Sequence, residues 1–135
     1  MARARRTVLS LLGLALVGAP AAPAESLDCT SRWLDRTELM ICDDPQLSRM
    51  EEQLARRLDG FALRLNFGQY LGLRHWHAVW ARQRGACAAE RECIAASYRA
   101  QGRFLDRFQK CISASLAHRA CLRDLVAGER ETMQR

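Results

Sequence analysis

Lysine is almost missing from this chain: Lys110 stands alone against 20 arginines. That ratio looks more like nucleotide composition than selection of a phosphate-binding surface. A nucleic-acid face needs basic residues gathered on one side with aromatics between them. Here the arginines are scattered among Asp and Glu, so no nucleic acid is expected as a partner. Proline is also scarce. Its last occurrence is Pro45, and no proline interrupts helices downstream. No stretch shows strand-like alternation of useful length. Apolar runs long enough to cross a bilayer, which need ~20 residues, are missing as well. Catalytic patterns are equally scarce: there is no Ser/His/Asp or Cys/His arrangement and no glycine-rich phosphate loop. The sequence therefore predicts no enzyme, no cofactor and no catalytic residue.

The start of the chain reads as an export signal. Arg3, Arg5 and Arg6 precede a short apolar run from Val8 to Val17, and Ala19-Pro20-Ala21 and Ala22-Pro23-Ala24 offer small-residue cleavage sites. The Arg5-Arg6 pair also fits a twin-arginine signal, though in so arginine-rich a chain it does not decide the export route. Residues 1–24 are assigned to the signal, and cleavage after Ala24 leaves a chain beginning at Glu25. Losing three arginines takes the formal charge from +6 to +3 (6 − 3). A periplasmic or secreted location follows, with no membrane span in the mature chain.

All six cysteines, Cys29, Cys42, Cys87, Cys93, Cys111 and Cys121, lie beyond the signal. An even count in a short exported chain reads as a disulfide framework, although six cysteines allow 15 connectivities. Zinc is the rival reading, disfavoured by export and by the lack of any C-x-x-C. Spacing makes Cys29–Cys42 feasible as a clip around the first helix. Cys87 and Cys93 would be ~9 Å apart on an unbroken helix, so their pairing needs a turn between two helices. Cys111–Cys121 needs a similar break near Ser113–Ser115.

The remaining pattern is helical, which makes the fold class all-α: a small disulfide-stapled bundle of about four helices after a cleaved signal peptide. Asp35 and Glu38 form a capping box for a first helix ending near Cys42. Asp44 and Pro45 stand at the N-cap and first position of a second. Leu47, Met50, Leu54, Leu58, Phe61 and Leu65 give that helix one apolar stripe, with Glu51, Glu52, Arg56 and Arg57 mainly off it. Asn66-Phe67-Gly68 marks its end. A third helix is expected from Gln69 to Ala86, with Leu73, Trp76, Trp80 and then Gln83 on one side. After a connection over Ala88–Arg91, a fourth turns Ile94, Tyr98, Leu105 and Phe108 inward. A short last helix near Leu116–Val126 precedes a polar, frayed tail from Gly128. The expected organisation is thus a helical domain over 25–110 and a C-terminal helical extension and tail over 111–135.

Several residues invite sharper readings. Trp76 and Trp80 at i,i+4 could form a sugar-stacking face, but their spacing is that of core residues. His75 and His77 point ~200° apart on a helix and cannot chelate one ion, so no metal site is expected. Asp43, Asp44, Glu51 and Glu52 are explained by capping and a solvated face.

The cysteine frame carries a resemblance. Cys29, Asp35, Glu38, Ile41, Cys42, Asp44, Pro45 and Leu47, followed by Trp80, Arg84, Cys87, Cys93 and Tyr98, resemble the pattern of the lysozyme inhibitor LprI-like family of small exported bacterial proteins. The likeness spans about residues 29–105. His77, Gly85 and Gln101 depart from the family's usual Gln, Asp and Arg, and Cys111 and Cys121 lie outside the shared region. The resemblance implies a disulfide-linked envelope protein that blocks lysozyme by protein–protein contact. The partner would then be a protein, lysozyme by this resemblance, engaged by an irregular segment near Cys29–Arg32 or Ala86–Arg91 with an arginine opposing the enzyme's carboxylates. The alternative is a non-inhibitory structural or adaptor domain that binds another envelope protein. Inhibitory residues and oligomeric state are not legible from the chain.

Overall fold

The computed structural model describes residues 26–113 and 118–133. The signal over 1–24 lies outside that range, as does the part of the expected 113–115 break that follows Ser113. Among the described residues the chain is all helical: α1 (Arg36–Asp43), α2 (Pro45–Ala62), α3 (Phe67–Arg84), a 3-10 turn (Gly85–Cys87), α4 (Arg91–Ser113) and α5 (His118–Met133).

Local chemistry sets the helix starts. The Asp35 carboxylate accepts from the Glu38 N–H at 2.8 Å, and Glu38 accepts from the Asp35 N–H at 2.9 Å, which closes the capping box of α1. Asp44 ends α1 and caps α2, accepting from the N–H groups of Gln46 and Leu47 ahead of Pro45. The α2–α3 corner departs from expectation. α2 stops at Ala62, and Asn66 is the N-cap of α3 rather than the end of α2, paired with Gln69 in a second capping box. Asn can close one helix or open the next; here the Gln three residues on supplies the reciprocal bond that decides for opening.

The core joins α1 to α4. Ile41, Leu47, Leu54, Leu58, Phe61, Leu73, Trp76, Trp80, Ile94, Tyr98, Phe104, Leu105 and Phe108 are all buried. Each large apolar side chain so enclosed contributes ~1.5–3 kcal/mol. α4 supplies the spine of this core. Its Tyr98, Phe104 and Phe108 meet Trp80, Trp76 and Phe61, with ring centroids 5.5, 5.9 and 5.3 Å apart. On α3 the inward position after Trp80 falls to Arg84, and Gln83 is exposed. A strict four-residue step from Trp76 to Trp80 to Arg84 keeps one face inward, whereas Gln83 rotates away from it.

Three disulfides staple neighbouring elements. Cys29–Cys42 ties the entry segment to α1, Cys87–Cys93 spans the turn from α3 to α4, and Cys111–Cys121 joins α4 to α5, with Cα separations of 5.7, 5.5 and 5.4 Å. The last helix runs from His118 to Met133, so Gly128 lies inside it rather than at the head of a frayed tail. α5 packs chiefly on α4. Leu122, Leu125 and Val126 are only partly buried against the core, and the Arg107–Glu129 ion pair adds a second fastening.

Candidate functional site

The segment before α1 is short and almost entirely fixed by local hydrogen bonds. The Asp28 carboxylate accepts from the Thr30 hydroxyl at 2.6 Å and from the Thr30 N–H at 2.9 Å, an Asx turn. The hydroxyl bond first, then the amide, holds the Asp28 carboxyl below its ordinary range. Ser31 donates its N–H to the Asp28 carbonyl, and its hydroxyl oxygen accepts from the Trp33 N–H at 3.2 Å. Leu27 rests on the core and Cys29 is bonded to Cys42, so the start of the turn is anchored. On this frame Arg32 and Trp33 face outward. Trp33 is 90% exposed, an unusual state for a residue with so large an apolar ring. Arg32 makes no ion pair among the described residues.

The second expected contact segment is occupied by structure. Residues 85–87 form the 3-10 turn, and Ala88, at φ 49°, is the only non-glycine with positive φ among the described residues. Arg91 begins α4 and is fully engaged. It donates to Asp44 at 2.7 Å, and also to Gln46 and Glu92. The Leu47 N–H foremost, and Arg91 next, lower the Asp44 carboxyl, while Asp44 in turn raises Arg91. This arginine locks α2 to the start of α4, and its three bonds leave it more engaged than Arg32. The two segments nevertheless lie at one end of the bundle, because the Thr37 hydroxyl donates to the Gly85 carbonyl at 3.2 Å. A groove of about 170 Å³ opens between the start of α1 and the end of α3, with Asp35 and Glu38 on one side and Arg82 on the other.

Beneath that end sits a buried polar knot. The Arg84 guanidinium donates to Glu51 at 2.9 Å and to the Tyr98 hydroxyl at 2.7 Å, and Tyr98 donates to the same Glu51 oxygen at 2.5 Å. Its carbon lies 5.0 Å from the Trp80 ring centre and 5.2 Å from that of Tyr98, a cation held between two π faces. Glu51 therefore does not belong to a solvated face: its side chain is 12% exposed and closes an ion pair across α2, α3 and α4. Glu52, the next residue, does face solvent and pairs with Arg56. Burial, with Glu51 adding to it, pushes the Tyr98 phenol well up. One Glu51 oxygen takes both donors, an arrangement that ties three helices together.

The other residues singled out in the sequence have plain positions. Trp76 and Trp80 are core. His75 is exposed, whereas His77 is half-buried beside the Trp80 ring at 5.1 Å, and burial lowers its imidazole. Among the described residues no group of three or more His, Cys, Asp or Glu side chains stands together as a metal site would require. Trp33 is the residue that sequence reasoning missed. The available signal was a tryptophan between a cysteine and a helix cap, where no helical period could bury it.

Compared with protein-family models, curated proteins and solved structures, the chain matches none.

Proposed function

We propose that this is an exported envelope binding protein of the LprI-like kind, which blocks lysozyme by protein–protein contact and has no enzymatic activity of its own. The carrying observation is the Arg32–Trp33 tip. It is an exposed arginine and an exposed tryptophan on a turn pre-set by Asp28, Ser31 and the Cys29–Cys42 bond. Trp and Arg are the residues most enriched at energetic centres of interfaces, and a tip already rigid loses little entropy on binding. In this reading Trp33 packs against the wall of the lysozyme cleft and Arg32 faces its paired catalytic carboxylates. Periplasmic or secreted placement rests on the signal-like residues 1–24 and accords with three disulfides. No helix among the described residues is long and apolar enough to cross a membrane.

Long-range steering does not help. The mature charge of +3 (6 − 3) offers no attraction to a basic lysozyme, so recognition must be local. The oxidised chain from Glu25 should slow lysis of purified peptidoglycan at micromolar concentration. Trp33→Ala should weaken this ~30-fold or more, the scale of a 2 kcal/mol interface centre, with the thermal midpoint unchanged. Undiminished lysis at micromolar protein rejects the reading.

The adaptor alternative has its own observation. Leu63 and Phe67 are 92% and 78% exposed at the α2–α3 corner, with Leu71 half exposed beside them. If an envelope protein is held there, Phe67→Ser abolishes its co-purification, and lysozyme is unaffected by wild type and variant alike.

A further inference from the structure

A cleft of about 280 Å³ opens between α3, α4 and α5, well away from the Arg32–Trp33 tip. Its floor is aromatic: Trp76, Phe104 and Phe108. Phe104 lies 13 residues into α4 from Arg91, so the cleft sits ~20 Å along that helix from the Asp44–Arg91 lock. Both fastenings of α5, the Cys111–Cys121 bond and the Arg107–Glu129 ion pair, run to α4. α5 is therefore held on one side and stands off α3 on the other. Leu122 and Val126 form the wall of the gap while remaining only partly buried.

The size and the rim define the occupant. A cavity of ~150 Å³ accepts benzene, and ligand pockets begin near ~300 Å³, so this cleft suits a body of about eight carbons. Among the described residues that line it, the rim carries His75 and Arg130 and no acidic side chain. Arg130 makes no ion pair among the described residues, unlike Arg107 and Arg123 nearby. An apolar floor below a guanidinium with no ion pair among the described residues is complementary to an amphiphile with one negative end. We propose that this cleft binds a small organic anion with an apolar body, of the medium-chain carboxylate class, with its chain on Trp76 and Phe104 and its charge at Arg130.

Gly72 supplies the test. It lines the cleft, and a Cβ built there meets nothing within 4 Å. Gly72→Leu should fill the opening while favouring helix in α3, so loss of fold is not expected. Val126→Phe fills it from the opposite wall. Calorimetric titration of the oxidised chain with octanoate should show one saturable site with Kd below about 1 mM, and octylamine should bind at least tenfold more weakly. Gly72→Leu and Val126→Phe should each abolish octanoate binding with the helical circular dichroism retained. Arg130→Gln should bring octanoate and octylamine to within about threefold of each other. No saturable octanoate binding to wild type, equal binding of octylamine, or undiminished binding in either well-folded filling variant overturns the proposal. These readouts need no lysozyme, so they stand or fall apart from the tip.

Discussion

Glu51 shows how far a single residue's surroundings can differ from its pattern. By period it falls off the α2 stripe, yet Arg84 and Tyr98 reach it from two other helices. Removing its carboxylate strands a guanidinium that is only 7% exposed. Glu51→Ala should therefore cost about 3–5 kcal/mol in urea unfolding, as expected for one partner of a buried pair. Glu52→Ala, which loses only an exposed i,i+4 contact at 3.5 Å, should cost less than about 0.5 kcal/mol. Equal effects would mean that the knot is wet. His77 makes a different test. Its imidazole is held neutral by burial and so titrates below its unfolded value of ~6.5. Below that value the unfolded chain takes up a proton that the native one resists. The associated stability is thus present above about pH 6.5 and declines as pH falls. His77→Gln should flatten the change in urea midpoint between pH 7 and pH 5.5; a slope as steep as wild type would assign it to other groups.

Among the elements, the turn from α3 to α4 is the most tightly specified. It packs the Cys87–Cys93 bond, a 3-10 turn and a left-handed alanine into a few residues. Alanine at φ 49° is strained where glycine is not. Ala88→Gly should raise the thermal stability by about 1 kcal/mol, the strain relieved outweighing the entropy that glycine loses on folding. A lower melting temperature would show that Ala88 is at ease. The elements also show what the chain makes legible. The Leu47, Leu54, Leu58 and Phe61 stripe and the Asp35 and Asp44 caps are local signals, and the structure contains them as read. The need for a turn between Cys87 and Cys93 was likewise a matter of length alone. Asn66 was misread because both roles of Asn are local and only its partner Gln69 separates them. Glu51 and Arg84 were not legible, since their burial depends on which helices face each other. Trp33 had no period to betray it, and the apolar cleft depends on where α5 comes to rest.

At the scale of the whole molecule, four helices share one core and a fifth leans on it. α1 to α4 bury their large side chains in common, whereas α5 contributes only partly buried Leu122, Leu125 and Val126. Opening of α5 should therefore cost less than global unfolding. Native-state hydrogen exchange should show amides in 118–133 exchanging at a lower free energy than those of α2 and α4. Identical values across all five helices would make the molecule a single cooperative unit. The three disulfides do not oppose such a hierarchy, because each spans only 13, 6 or 10 positions of sequence and none ties distant parts of the core together.

That arrangement has a consequence for how the covalent framework is made. The bonds follow one another along the chain without nesting or crossing, so every cysteine is joined to the next one unpaired. A chain oxidised in the order in which it emerges, each new thiol meeting the one thiol still waiting, arrives at this connectivity out of 15 without reshuffling. Oxidative refolding of the reduced chain, with thiols pairing in sequence order, should therefore reach the native connectivity without a disulfide isomerase.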